Sequence, residues 1–158
     1  MGLIYKKADV NDIEDLVDLK IKQNIYNCDS DGIILENEEI ARENIKRVLL
    51  QELNKTIYFF IAIDKSNNRT IASNGVVIHQ MVPSTLCLNG KKAYITSVYT
   101  DEEYRCKGIQ NVLMQMILDF LEGIECKRIE LDAVNPHAIK LYEKFGFEKD
   151  DQKYILNN

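Results

Sequence analysis

The chain has 158 residues, of which 46% are hydrophobic and 28% are charged, and its formal net charge is -5. This length and composition predict one globular domain, spanning residues 1–158, with its own hydrophobic core. An acidic chain without a long basic cluster argues against a nucleic-acid-binding surface, and the sequence contains no apolar run as long as a membrane span.

The hydrophobic pattern predicts strands and helices along the whole chain. The first half begins with a strand at 3–7, a helix capped by Asp9 and reaching about Gln23, a loop at 26–32 and a helix from about Glu36 to Leu53. Three strands follow, at 57–63, 70–82 and 93–100, and then a long helix after Gly108. The chain ends with a strand at 128–133, a short helix from Asn135 to Gly146, and two closing strands at 147–149 and 153–156.

The four cysteines favour a reducing environment. They are widely spaced, form no Cys-x-x-Cys pair and are accompanied by only two histidines, so no metal site is expected. The sequence also lacks a signal-peptide pattern, and these features together predict a cytoplasmic protein with free thiols.

Gly108 lies where the strand at 93–100 gives way to the most regular helical pattern of the chain. A glycine at this point lets backbone N–H groups approach an anion closely, because it has no Cβ. The first N–H groups of a helix have no internal partner, and the helix dipole is positive at that end. The segment Arg105-Cys106-Lys107-Gly108-Ile109-Gln110 therefore suits a phosphate cradle made mostly of backbone, although a simple turn explains one glycine equally well.

Two motifs resemble those of one known family. Arg105-x-x-Gly108-x-Gln110 resembles the R/Q-x-x-G-x-G/A pyrophosphate loop of the GCN5-related N-acetyltransferase (GNAT) superfamily, whose members bind acetyl-coenzyme A. Further on, Asn135-x-x-Ala138-x-x-Leu141-Tyr142-x-Lys144-x-Gly146-Phe147 resembles its C-terminal motif. The chain departs from the family at Gln110, where Gly or Ala is usual, and in a shorter connection from Leu131 to Asn135.

The resemblance implies an α/β fold, with a mixed, mostly antiparallel sheet, helices on both faces and a splayed central strand pair. It also implies acetyl transfer from acetyl-CoA, as cosubstrate, to a primary amine of a small molecule or peptide by direct attack. Tyr142 would be the general acid, unless it is only a half-buried core aromatic. The residues implied in cofactor binding are Val98, Tyr99, Thr100, Arg105, Cys106, Lys107, Gly108, Ile109, Gln110 and Asn135.

Some of these residues have alternative interpretations. Arg105 could reach a phosphate or be an ordinary solvated side chain. Cys106 is better explained as an inert loop residue than as a nucleophile, because no histidine lies near it in sequence.

The general base is not identified, because the strand at 93–100 carries no Asp or Glu. The candidates are Asp132 and Glu130 on the next strand, His79 on the preceding one, Glu38 and Asp29 near the first two helices, and a chain of water molecules. For His79 the pattern favours a buried core histidine. Asp29 and Asp31 would suit a cationic acceptor such as a polyamine, an aminoglycoside or a peptide amine, but an exposed loop explains these acids equally well.

A second hypothesis is an acyl-CoA-binding regulatory module without turnover. Gln110, the short connection and the missing strand acid favour it, whereas the retained Tyr142 favours an enzyme. A P-loop or Rossmann nucleotide-binding protein is not supported, because neither glycine motif occurs. The closing strands could pair across a homodimer or form an ordinary sheet edge.

Overall fold

Five strands and four α-helices form the computed structural model, which describes residues 2–32 and 36–158. The strands lie in one sheet in the order β1-β2-β3-β4-β5, antiparallel throughout except for the parallel pair β4–β5. The elements are β1 (Leu3–Lys7), α1 (Ile13–Asp31), α2 (Glu38–Glu52), β2 (Ile57–Asp64), β3 (Arg69–Gln80), β4 (Lys91–Thr100), α3 (Ile109–Gly123), β5 (Arg128–Glu130) and α4 (Pro136–Lys144).

The sheet is covered by helices on both faces, as the sequence predicts. On one face the apolar stripe of α3, with Leu113 and Ile117 fully buried, packs on the central strands together with Tyr142 of α4. On the other face α1 and α2 pack Leu16 and Leu49 against alternate residues of β2. Burial on both sides explains why Ile57–Ile63 is continuously apolar. No helix among the described residues is long and apolar enough to cross a membrane.

Helix α1 is longer than the sequence predicts. Asp9 caps its 3₁₀ entry turn, since its side chain accepts a hydrogen bond from the Asn11 N–H at 2.8 Å, as expected. The predicted loop at 26–32 is wrong, because the helix continues to Asp31 and ends at Gly32 with φ 68°. The polar residues of these last turns carry no hydrophobic stripe, and Tyr26 is held from outside the helix by the Arg105 guanidinium.

Strand β4 carries the irregularity that shapes the centre of the sheet. Its register with β3 shifts, so that two β4 residues, Ser97 and Val98, lie opposite the single residue Asn74. Ser97 has φ 56°, a left-handed conformation uncommon for serine. On its other side β4 pairs with β5 only from Lys92 to Tyr94, and beyond that point the two strands part. The predicted splayed pair is therefore confirmed.

The two closing strands are not found among residues 147–158, so neither the dimer pairing nor the ordinary sheet edge suggested for them is formed by strands there. The side chains of Tyr154, Ile155 and Leu156 are exposed. A strand needs a neighbouring strand to pair with its backbone N–H and C=O groups. The edge strand β5 offers little for the closing strands to pair with, because it is only three residues long and shorter than the predicted strand at 128–133. The six polar residues from Glu148 to Lys153 also provide no apolar face.

Candidate functional site

The loop before α3 presents a row of unpaired backbone donors. Cys106 and Gly108 both adopt left-handed conformations, with φ 60° and 77°, and α3 begins at Ile109. Within the described residues, the N–H groups of 106–110 have no hydrogen-bond acceptor. Successive N–H groups in such a turn form an anion-binding concavity, and the positive end of the helix dipole reinforces it. Ile109 contributes through its backbone, because its side chain is buried in the core.

The basic side chains of this loop are held by the protein itself. Arg105 is half-buried, and its Nε donates to the carbonyl oxygen of Thr100 at 3.0 Å. Its guanidinium carbon lies 4.5 Å from the centroid of the Tyr26 ring, so the solvated-residue alternative is wrong. Lys107 Nζ donates to the carbonyl oxygen of Glu103 at 2.8 Å. The anion-binding capacity of the loop in this arrangement thus comes from its backbone.

Gln110, the departure from the family pattern, turns its side chain into the sheet. Its Nε2 shares its two hydrogens among three acceptors, namely the carbonyl oxygens of Tyr99 at 2.9 Å and Ser73 at 3.1 Å and the Thr100 Oγ1 at 3.1 Å. Its Oε1 accepts from Nδ2 of the fully buried Asn74 at 3.3 Å. The side chain therefore connects β3 and β4 at the register shift, away from the row of free N–H groups.

The part of β4 beyond its pairing with β5 holds the predicted pantetheine-binding residues. Val98, Tyr99 and Thr100 all follow Tyr94, the last β4 residue that pairs with β5, so their backbone faces the gap between the two strands. From the helical side, Gln23 Nε2 of α1 donates to the Val98 carbonyl oxygen at 3.2 Å. The bulge is therefore fixed by groups from α1 and α3.

The second motif places Tyr142 in the core and Asn135 at a helix end. Tyr142 is 7% exposed and packs edge-on against Phe147, with ring centroids 6.0 Å apart. Burial raises the pKa of its hydroxyl, which makes no hydrogen bond within the described part of the chain. Asn135 caps α4, since its Oδ1 accepts from the His137 N–H at 2.9 Å. Tyr142 is therefore neutral at physiological pH and has an unused donor.

The two strand carboxylates proposed as bases are engaged in hydrogen bonds. Asp132 accepts from the Tyr94 hydroxyl at 2.6 Å, and this hydrogen bond lowers the pKa of Asp132. Burial, aided by Asp132, raises the pKa of Tyr94 to about 12. Glu130 forms an ion pair with Lys92 at 2.7 Å, which lowers the pKa of Glu130. Lowered pKa values make both groups weak bases.

The other three candidates for the base lie on the surface. His79 is exposed near the end of β3, so the expected core histidine is wrong. Glu38 forms an ion pair with Arg42 at 3.1 Å in the exposed first turn of α2. Asp29 is exposed in the last turn of α1.

An open cavity of about 310 Å³ lies on the α1–α2 face of the sheet and reaches the bulge. Its walls are formed by Leu16, Lys20, Asn44, Ile45, Val48, Leu49, Ile57, Phe59, Val77, Thr96 and Ser97. The sequence analysis did not identify this cavity or Lys20. One signal was available, because Lys20 follows Leu16 by four residues and so lies on the apolar face of the helix.

Comparison with known proteins identifies relatives of this chain. The spermine/spermidine N(1)-acetyltransferase of Bacillus subtilis is 36% identical over 63 residues, which cover 38% of this chain and 41% of that protein. N-alpha-acetyltransferase 30 of Homo sapiens is 35% identical over 72 residues, covering 42% of this chain and 20% of that protein. The matches thus span less than half the length of these curated relatives.

A solved structure matches over almost the whole chain. It is the crystal structure of a predicted acetyltransferase with acetyl-CoA from Clostridium acetobutylicum, with a TM-score of 0.86 and 27% identity, covering 99% of this chain and 96% of that one. The model of the acetyltransferase (GNAT) family matches residues 24–147, which is most of the sequence. The chain therefore belongs to the GNAT family of acetyltransferases, as its two motifs predicted.

Proposed function

We propose that this chain is an N-acetyltransferase that moves the acetyl group of acetyl-CoA to a primary amine of a small molecule or peptide by direct attack. The observation that carries the proposal is the row of unpaired N–H groups at 106–110, placed at the end of a strand that no longer pairs with β5 beyond Tyr94. Membership of the family and the acetyl-CoA in the Clostridium acetobutylicum structure support the choice of donor.

The cosubstrate would be held mainly by backbone groups. The N–H groups of 106–110 are suited to the pyrophosphate, with Arg105 and Lys107 supplying positive charge nearby. Val98, Tyr99 and Thr100 would take the pantetheine arm in the gap between β4 and β5, where strand pairing leaves room. Asn135 follows β5 in the chain, caps α4, and completes the proposed binding set.

Tyr142 is the proposed proton donor. The amine nitrogen attacks the thioester carbon, the carbon–sulfur bond breaks, and the departing sulfur takes the hydroxyl proton of Tyr142. The raised pKa of Tyr142 keeps that proton available at physiological pH, and the absence of a hydrogen-bond partner leaves the hydroxyl free to donate. Solvent then returns a proton to the tyrosine.

Water is the proposed acceptor of the amine proton. The carboxylates of Asp132 and Glu130 are committed to hydrogen bonds and have lowered pKa values. We also place the protein in the cytoplasm, and the four unpaired cysteines support a reducing compartment.

Release of free thiol from acetyl-CoA, measured over a panel of primary amines, tests the proposal. We expect release that depends on the amine and that falls strongly in Tyr142→Phe. Binding of acetyl-CoA without thiol release for any amine would instead support the silent acyl-CoA-binding module. One argument for that module is weakened, because the Gln110 side chain points away from the loop N–H groups.

A further inference from the structure

Among the described residues, no carboxylate is paired with the Lys20 side chain. Lys20 lies on α1, half-buried, and its Nζ donates to Gln23 Oε1 at 3.0 Å. Burial lowers the pKa of its ammonium group, with no carboxylate opposing that effect. The residues outside the description, Met1 and 33–35, have no carboxyl side chain that could supply a partner.

Cations nearby behave differently. Lys22, also on α1, pairs with Asp101 at 3.0 Å, and Arg42 of α2 pairs with Asp18 at 2.6 Å. Lys46 of α2 pairs with Glu14, and the side chains of both are at least half exposed. Lysines are rarely buried without a partner, because removing an ammonium group from water is costly. The unpaired position of Lys20 is therefore suited to an anion supplied from outside the chain.

The cavity beside Lys20 indicates which kind of group the ligand carries in addition to its anion. Lys20 contributes to the wall of the 310 Å³ cavity, whose other walls include Leu16, Val48 and Phe59. An apolar side chain of a small ligand would be buried there. At the strand end the cavity reaches Ser97 of the bulge.

The same lysine is connected to the proposed reaction centre. Gln23 accepts from Lys20 with its Oε1 and donates from its Nε2 to the Val98 carbonyl oxygen. Val98 belongs to the bulged segment that the proposed function assigns to the cosubstrate. A ligand anion held by Lys20 would therefore lie one side chain away from this segment.

We propose that the acceptor is an α-amino acid with an apolar side chain. Its carboxylate pairs with the Lys20 ammonium, its side chain fills the apolar cavity, and its amine reaches toward the thioester. This inference rests on the proposed function and names its acceptor class. It disfavours polyamines, since a second cationic group would meet the Lys20 charge without a compensating carboxylate.

Kinetics with paired acceptors test the role of Lys20. We expect kcat/KM for leucine to exceed that for leucinamide by about tenfold or more, with the difference mainly in KM. Lys20→Met should bring the two acceptors to within about twofold, whereas Lys20→Arg should retain part of the preference. Lys46→Met is the matched control, because it removes an exposed, paired lysine of the same helical layer, and it should keep the wild-type ratio.

Ligand binding decides the inference independently of turnover. Calorimetric titration should show binding of N-acetyl-leucine to the wild-type protein, weaker binding of N-acetyl-leucinamide, and loss of this difference in Lys20→Met. Equal binding of the two ligands to the wild type, or the same difference in Lys20→Met, would overturn it. Thiol release without any carboxylate preference would overturn this inference alone, whereas the lack of release with every amine would overturn the proposed function.

Discussion

Replacing Gln110 with alanine should destabilise the centre of the sheet. The change removes three donor contacts from Nε2, to Ser73, Tyr99 and Thr100, and it leaves Nδ2 of the fully buried Asn74 without an acceptor. Asn74 Oδ1 is already without a partner within the described residues. A net hydrogen bond contributes about 1 kcal/mol, and an orphaned buried polar group costs about 1–3 kcal/mol. We therefore expect a loss of about 2–4 kcal/mol.

Urea unfolding followed by circular dichroism measures this loss, with thermal unfolding as a second readout. The expected loss corresponds to a Tm lower by roughly 5–15 °C for a domain of this size. Gln115→Ala is the matched control, since Gln115 lies exposed on the same helix and makes one hydrogen bond, to Asp119 at 2.8 Å. It should cost less than about 0.5 kcal/mol.

A double-mutant cycle with Asn74→Ala checks that the network is the cause. The two changes should be non-additive by about 1 kcal/mol, because they remove partners of the same hydrogen bond. A Gln110→Ala protein as stable as Gln115→Ala, or a fully additive cycle, would refute the reasoning that Gln110 braces the bulge.

Three further predictions address the loop, the acid and the strand gap. Tyr142→Phe should lower kcat at least tenfold while the Kd for acetyl-CoA changes less than about threefold; equal losses would argue for a packing role. Gly108→Ala, forced to keep φ 77° although its Cβ would make only an ordinary contact with Asn111 Nδ2 at 3.8 Å, should cost about 1 kcal/mol and weaken acetyl-CoA binding, whereas Gly123→Ala in the same helix should do neither. The pKa of Tyr94 is raised to about 12 in the folded protein, so this residue contributes stability that is present below its unfolded pKa of about 10 and is lost as pH rises through 12. The unfolding free energy of Tyr94→Phe should therefore decline less than that of the wild type between these pH values.

The sequence predicted well the elements that bury one face and the features that depend on neighbouring residues in the chain. Helix α3 was predictable because Leu113, Ile117 and Leu121 recur on one face, and all three are fully buried. The cap at Asp9 was predictable because it depends on neighbouring backbone groups. The cradle could be proposed for the same reason, since a glycine at the start of a helix fixes the local path of the backbone.

Features that depend on distant contacts were not predictable. The last turns of α1 have no apolar stripe and are held by the Arg105 side chain, about 80 positions further along the chain. Tyr154, Ile155 and Leu156 have strand-forming composition, but composition does not supply a partner strand. The inward turn of Gln110 depends on the β3–β4 register, and the position of Lys20 depends on how α1 lies against β4. Neither side-chain position can be predicted from the spacing of residues that are close together in the sequence.

Calorimetric titration with acetyl-CoA, desulfo-CoA and ADP is the most direct test of the proposed donor site. If the N–H groups of 106–110 hold the pyrophosphate and β4 holds the pantetheine arm, acetyl-CoA and desulfo-CoA should bind with similar affinity, and ADP should bind more weakly. Gly108→Ala should weaken all three. No binding of acetyl-CoA at millimolar concentration, or binding unaffected by Gly108→Ala, would contradict the proposal that this loop is the acetyl-CoA site.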